Sequence, residues 1–368
     1  MRTFTSTVVS AVALLGGANA FFRLPCSSEP IIHARIDPVI SPGQKPSNHV
    51  HTVHGAKNFY SLIVRFASNS TYETLRASSC TNCKATQDLS NYWFPKLYFR
   101  DPKTKSFESV GNGGLLVYYL QRGDADVANG GPGLKAFPPG FKMISGDPRS
   151  RSRKFATETG SQAELRQRAT RWACLRYSAG KEGYEGYGFP TTDCESGFQA
   201  RLHMPSCWDG KNVDSADHVS HTAYLSGLDN GKCPSTHPVA HIHLFYEVTW
   251  DVTAFAGRWT ESDGWPFVWA TGDHTGYSWH GDFQNGWDTT VLQTAIDTCN
   301  NPNDDTINGN IEACKVLKLQ DDNMAKTCKA VPELTEVVNG KLAKLPGCNP
   351  IQPGPRDATL YSDANCPA

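Results

Sequence analysis

Apolar and polar positions alternate most clearly along residues 241–250. Alternate side chains of a β-strand point to opposite faces, so this stretch predicts a strand with one apolar face. That face would carry Ile242, Leu244, Tyr246, Val248 and Trp250. The other face would carry the pair His241 and His243, which we expect to point at a cleft or at solvent, together with Phe245, Glu247 and Thr249.

Other segments extend this β pattern, and one departs from it. The apolar run at 115–120 predicts a buried strand, and the alternating stretch 197–204 predicts another. Within 288–299 the apolar residues recur at helical spacing, with Asp288 or Thr289 as the N-cap. Short strands separated by Gly, Pro and Asn turns predict a mainly β protein, an antiparallel β-sandwich or jelly-roll-like fold with long loops and a few short helices.

The ends and cysteines of the chain indicate its compartment. Residues 1–20 have the basic start, short apolar stretch and small-x-small end of a secretory signal peptide. All twelve cysteines follow it, and an even number in a secreted chain predicts as many as six disulfides. We expect a domain at 21–300, with a disulfide-rich extension at 301–368 packed on it. Asn69-Ser70-Thr71 is a glycosylation sequon, so the protein is expected outside the cell or in the cell wall.

Charge and hydropathy argue against two classes of partner. The 35 Lys and Arg side chains nearly balance the 36 Asp and Glu side chains, so no general attraction to nucleic acid is expected. No stretch after the signal peptide reaches the roughly eighteen apolar residues of a membrane span. We therefore expect a monomer that binds neither nucleic acid nor a bilayer.

The stretch 272–287 carries an unusual density of reactive residue types, with two His, two Asp, an Asn, a Tyr, two Trp and four Gly. Its polar residues are types that bind metals or transfer protons, and its aromatic residues are types that stack on sugars. The alternative is a well-ordered loop whose Asp and His side chains bind local backbone groups.

The histidines form groups at 49/51/54, 218/221, 237/241/243 and 274/280. Two His-x-His pairs and the sequence His280-Gly281-Asp282 indicate a shared polar or metal-binding site, because residues i and i+2 of a strand share a face. Zinc or copper would favour imidazole with carboxylate, whereas calcium would favour carboxylates and carbonyls. The chain contains no HExxH, GxSxG, P-loop or GxGxxG motif.

Two kinds of carbohydrate chemistry suit these residues. A glycosidase would need a pair of carboxylates, which Asp273, Asp282 or Glu247 would supply. A lyase would need a His or Tyr base and a cationic group, and the candidates are His280, Tyr277 and Arg35. The sequence favours neither chemistry over the other.

The chain also carries short motifs that are individually weak but specific in combination. They are RIDPV and SPG (35–39, 41–43), SNHVH (47–51), NF (58–59), DLSNYWFPKLY (88–98), FPPGFKM (137–143), HVSH with Tyr224 (218–221), CP and HP (233–234, 237–238), and the stretch 272–287. Together they resemble a fungal secreted family, the domain of unknown function DUF1996, over residues 35–300.

The resemblance implies a secreted or wall-associated protein. Some members resemble proteins with an added WSC-type carbohydrate-binding module, for which this tail has too few cysteines, so the chain would act without one. The polar signature of the family falls on His49, His51, His221, Asp273, His280 and Asp282.

From these observations we predict a secreted polysaccharide-active protein, an enzyme that cleaves a glycan by hydrolysis or elimination. Its catalytic residues would be His49, His51, His221, Asp273, His280 and Asp282. A divalent zinc, copper or calcium ion, where one assists, would be held by His49, His51, His280 and Asp282. The polysaccharide or cell-wall glycan would be bound by Arg35, Tyr92, Trp93, Tyr277, Trp279 and Trp287. The alternative is a non-catalytic wall or carbohydrate-binding protein.

Overall fold

The predicted mainly β architecture is confirmed by the computed structural model, which describes residues 21–42, 46–58, 70–300, 309–331 and 335–367. Within these residues the chain forms antiparallel sheets, four α-helices and six disulfides. The signal peptide predicted at 1–20 and the glycosylation site predicted at Asn69 lie outside the described residues.

The strands of the described residues are short and are interrupted by few helices. In chain order they are β1 Phe21–Cys26, β2 Ile32–Ala34, β3 His51–Gly55, β4 Asn91–Pro95, β5 Leu97–Arg100, β6 Phe107–Ser109, β7 Asn112–Leu120, β8 Lys142–Gly146, β9 Thr170–Cys174, β10 Tyr184–Gly186, β11 Phe198–His203, β12 Cys207–Trp208, β13 Thr222–Ala223, β14 Val239–Ala240, β15 His243–Trp250, β16 Phe267–Trp269, β17 His280–Gln284 and β18 Lys341–Leu342. The helices are α1 Tyr72–Arg76, α2 Gln162–Arg168, α3 Thr289–Thr298 and α4 Asp322–Thr327.

Two large antiparallel sheets pack face to face. One has six strands in the order β1-β7-β15-β11-β9-β10, and the other has five in the order β2-β3-β4-β17-β8. Tyr246 and Trp250 of β15 reach the rings of Tyr92 and Phe94 of β4, with ring centroids 5.8 Å and 6.1 Å apart respectively. The main hydrophobic core therefore lies between these two sheets, as in a sandwich. The smaller sheets are β13-β12-β14 and β16-β5-β6-β18.

The alternation along residues 241–250 is present in β15, with one correction at its start. Leu244, Tyr246 and Trp250 are fully buried in the core, as predicted. The strand begins at His243, whereas His241 precedes it and pairs its Nδ1 with the carbonyl oxygen of Lys135 at 3.1 Å. The two histidines therefore do not form the predicted pair on one strand face.

The helix predicted at 288–299 is confirmed as α3. The side chain of Asp288 accepts hydrogen bonds from the backbone N–H groups of Thr290 and Val291, as an N-cap does. Leu292 and Ala295 bury the apolar side of the helix in the core. In the described ranges, no helix is both long and apolar enough to cross a membrane.

Disulfides and one strand pair hold the C-terminal segment against the rest of the chain. The bonds are Cys26–Cys83, Cys80–Cys328, Cys174–Cys194, Cys207–Cys233, Cys299–Cys314 and Cys348–Cys366. Cys80 and Cys83, which have the CxxC spacing of some metal and redox motifs, bind separate partners, and the bond from Cys80 to Cys328 spans 248 residues of sequence. β18 also pairs with β6, so the segment after residue 309 is anchored at more than one point.

Candidate metal centre

Three histidines and an aspartate meet on the face of the five-stranded sheet that points away from the core. His51 begins β3, and His280 and Asp282 lie on β17. Between the latter two, Gly281 faces the core so closely that a Cβ there would lie 2.6 Å from Leu202 Cδ2. Because side chains alternate along a strand, His280 and Asp282 are turned to the outer face.

The imidazoles converge on one point. His49 Nε2 lies 3.2 Å from His280 Nε2, and the ring of His51 lies 4.3 Å from that of His49 between centroids. One nitrogen from each of the three rings falls within 4.8 Å of the other two. Two nitrogens bound to one zinc ion at about 2.0–2.1 Å in tetrahedral geometry lie about 3.3–3.4 Å apart, close to the separation of His49 and His280.

Backbone carbonyls fix the orientation of two of these rings. His51 Nδ1 lies 2.9 Å from the carbonyl oxygen of Ile36, and His280 Nδ1 lies 2.7 Å from that of Ser278. A carbonyl can only accept, so each Nδ1 carries the proton and each Nε2 keeps its lone pair. His51 Nε2 is buried with no hydrogen-bond partner among the described residues. Metal-binding histidines are typically held in this way.

Burial keeps the three imidazoles neutral. Desolvation lowers the pKa of His51 and of His280 to about 4, and it lowers the pKa of His49 well below its usual value. Repulsion from His51, when that ring is protonated, lowers the pKa of His49 and of His280 in the same direction. Neutral imidazole is the form that binds metal ions, so no deprotonation has to precede binding at neutral pH.

Two buried carboxyl groups accompany the histidines. Asp37 accepts hydrogen bonds from the backbone N–H groups of Val39 and Ile40, whereas Asp282 Oδ2 has no partner among the described residues. Burial raises the pKa of both groups, and the negative charge of Asp37 raises the pKa of Asp282 further. Sequence reasoning missed Asp37, although it lies inside the RIDPV motif that contributed to the family resemblance.

These side chains line a small cavity of about 70 Å³. It is also lined by Ile40, Ser41 and Pro148, and by Leu360 from the C-terminal segment. A larger cleft of about 390 Å³ lies beyond the edge strand β8. Ile144 and Gly146 of β8 line both spaces, so the two adjoin at that strand.

The donor set selects between the predicted ions. Three imidazole nitrogens suit zinc or copper, whereas calcium binds about six to eight oxygen ligands. Asp282, predicted as a fourth ligand, lines the same cavity, but its oxygens are not among the ligand atoms that lie within 4.8 Å of one another. Calcium, the third predicted ion, therefore does not suit this site.

His221 and Asp273, the other two predicted catalytic residues, lie away from this cavity. His221 bridges Ser215 Oγ at 2.8 Å and the carbonyl oxygen of Lys142 at 2.7 Å. Asp273 is fully buried, accepts three hydrogen bonds from Thr275 and Ser278, and lies 3.7 Å from the guanidinium of Arg151. The structure therefore does not bring them together with the three histidines, and their contacts with neighbouring protein groups favour structural roles.

Five of the six predicted glycan-binding residues are not placed as an accessible platform. Trp93, Trp279 and Trp287 are buried, and Tyr92 shares a buried hydrogen-bond network with Asp88 and Tyr119. Arg35 forms ion pairs with Glu336 and Asp363 and links the 35–50 segment to the C-terminal segment. Tyr277, the sixth, is half-buried and lines the larger cleft. Composition did not distinguish aromatic residues of the core from those of a surface.

Comparison with known proteins gives one match. A family model described as "Domain of unknown function (DUF1996)" matches residues 37–287. The matched range includes Asp37, all three converging histidines and Asp282. Neither the comparison with curated proteins nor that with solved structures finds a match.

Proposed function

This chain belongs to the DUF1996 family, whose domain has no assigned function, and we propose that it is a metal-dependent enzyme that cleaves a polysaccharide outside the cell. The observation that carries the proposal is the convergence of His49, His51 and His280 beside Asp282 in one buried cavity. Such a site with three protein ligands retains positions for water or substrate.

His49, His51 and His280 would hold the ion, and the carbonyls of Ile36 and Ser278 would keep two of the rings in the ligating tautomer. A zinc or copper ion bound there would supply Lewis-acid activation of a water molecule or of a substrate oxygen. Asp282 would hold or deliver the proton, because its Oδ2 points into the cavity without a protein partner.

The larger cleft beyond β8 is the proposed binding site for the glycan. It adjoins the histidine-lined cavity at Ile144 and Gly146, and Tyr277 gives it an aromatic wall of the kind that stacks on sugar rings. Its charged lining residues are Asp147, Lys154 and Arg166, of which Lys154 is paired with Asp357.

The size of the cavity supports a second candidate, a non-catalytic protein in which the ion has a structural role. A space of about 70 Å³ beneath Leu360 admits water or one small group, and no whole sugar ring. In that case the cleft would bind glycan without cleaving it. The two candidates make the same prediction for metal content and different predictions for products.

Elemental analysis of the purified, untagged chain tests the metal first. We expect the three-histidine site to contribute about one zinc or copper ion per chain in the wild type. Metal content should fall by that one ion in His51→Ala and in the milder His49→Gln. His274→Ala, at an exposed position of the same loop, should retain it and serves as the matched control. Metal-free wild type, or unchanged metal in folded His49→Gln, would contradict the proposal.

A glycan panel then tests cleavage. The metal-loaded chain is assayed for new reducing ends and for the ultraviolet absorbance of unsaturated products, which separate hydrolysis from elimination. Asp282→Asn should abolish both signals while the metal content stays at the wild-type level. Binding of a glycan without either product would favour the non-catalytic candidate.

A further inference from the structure

A second group of metal-binding side chains lies on the outer face of the six-stranded sheet. His203 ends β11 and His243 begins β15, and these strands are antiparallel neighbours. The adjoining Leu202 and Leu244 are buried in the core, so the alternation of each strand turns both histidines outward. This face belongs to the other sheet, and no residue of the centre at His49 takes part.

The two imidazoles face each other at close range. His203 Nδ1 lies 3.0 Å from His243 Nε2, and their ring centroids are 5.2 Å apart. Asp229 adds a carboxylate oxygen, and the three ligand atoms all lie within 4.8 Å of one another. We propose that His203, His243 and Asp229 form a second site, which binds a divalent transition-metal ion of the zinc class.

The loop that carries Asp229 is held in place before any ion binds. Leu228 is buried against Leu165, Ala169 and Tyr224, which anchors the residue next to the carboxylate. The backbone N–H of Asp229 donates to the carbonyl of Gly227 at 3.0 Å, which closes a tight turn. Little conformational entropy is therefore lost when this carboxylate takes up a ligating position.

Exposure and protonation both permit binding. His243 is fully buried, but His203 is only half-buried and the side chain of Asp229 is 45% exposed, so an ion can enter from solvent. Burial lowers the pKa of each imidazole to about 3, so both are neutral ligands at physiological pH.

The positive charge of Arg122 would compete with a metal ion for the carboxylate of Asp229, and this competition gives a test of the site. Its Nε donates to Asp229 Oδ2 at 3.2 Å, so its positive charge shares the carboxylate with the metal. Removing that charge should strengthen metal binding. A hydrogen-bonded cluster with no affinity for metal would show no such response.

Titration of the metal-stripped chain with Co²⁺ tests the site, because histidine-bound Co²⁺ has visible absorption. In His51→Ala, which lacks the first centre, we expect one equivalent to bind. Adding Asp229→Asn should weaken that binding by at least about tenfold. Substituting a residue that only hydrogen-bonds to a metal ligand already costs about that much affinity. Adding His203→Gln should abolish it, and adding Arg122→Gln should tighten it several-fold. His237→Gln, a histidine outside both groups, is the control and should change nothing.

The outcomes separate this site from the first one. If the wild type binds one equivalent of Co²⁺, and this binding is kept in His51→Ala but lost in His203→Gln, the second site is supported even if the first does not exist. No binding to His51→Ala, or equal binding before and after Asp229→Asn, overturns the proposal. Asp229 is partly exposed, so its variant remains decisive if His203→Gln fails to fold.

Discussion

Replacing Asp273 by Asn should destabilise the protein strongly and leave the metal centre intact. Asp273 and Arg151 are both buried, with 3.7 Å between Oδ1 and Nε, and Asp273 lies in the loop that leads to His280. Asn would remove the negative charge beside the buried guanidinium. It would also turn an amide N–H₂ toward a backbone N–H of Thr275 or Ser278, where an oxygen now accepts.

The expected loss of unfolding free energy comes from the buried guanidinium of Arg151, which would remain without its counter-charge. Removing one partner of a buried ion pair costs about 3–5 kcal/mol, because the remaining charge has no compensation. A domain is typically stable by about 5–15 kcal/mol, so this loss is a large fraction of the total. Arg151 keeps its hydrogen bonds to the carbonyls of Pro148, Ser150 and Thr271, which argues for the lower end of the range.

Denaturant unfolding with intact disulfides measures this loss, and elemental analysis measures the metal. The double variant Arg151→Met, Asp273→Asn should recover part of the stability, because it removes both charges. A loss below about 1 kcal/mol would refute the structural role, since that is the scale of an exposed ion pair. A variant of normal stability that has lost metal or activity would place Asp273 in the site instead.

Three further predictions concern separate parts of the molecule. His221→Asn should keep the metal while losing about 1–3 kcal/mol of unfolding free energy, as expected for buried groups left unpaired; metal analysis and chemical denaturation check both points. Asp88 has its pKa raised to about 6 by burial, so its folded pKa lies above the unfolded value and its stabilising contribution is lost as pH rises through 6. The buried neutral histidines titrate in the opposite sense, so the contribution of Asp88 is read as a difference between two proteins. The unfolding free energy of the wild type minus that of Asp88→Asn should fall by on the order of 3 kcal/mol between pH 4 and 7. Tyr277→Ala should lower kcat/KM on a cleaved glycan up to about tenfold with metal content unchanged, as steady-state kinetics would show.

Strand alternation explains what the sequence predicted well. His280 and Asp282 share a face of β17, as side-chain alternation along a strand predicts, whereas His49 precedes β3 and is grouped with them by the family resemblance. The same rule misplaced His241, because β15 begins two residues later than its apolar pattern does. A strand boundary depends on hydrogen-bond partners elsewhere in the chain, which periodicity does not record.

Side chains that depend on distant partners could not be assigned in advance. His221 is hydrogen-bonded to the carbonyl oxygen of Lys142, 79 residues earlier in the sequence. Asp273 is paired with Arg151, 122 residues earlier. The aromatic residues were misread for a related reason. Trp93 lies on the outer face of β4, yet Ile31, Ile36 and neighbouring apolar residues cover it and make a second small core there.

The residues of the candidate metal centre and the residue Leu360 beside it lie in different parts of the chain. The three histidines and both carboxyl groups lie within residues 37–287, the range that the family model matches. Leu360, which also lines the cavity, lies outside that range, on a segment tied down by Arg35–Asp363 and Cys348–Cys366. His51 and His280 lie on two strands of a sheet, whereas Leu360 is a 41% exposed side chain outside the strands and helices. Substitutions of Leu360 should therefore change access to the cavity and leave the positions of the histidines unchanged.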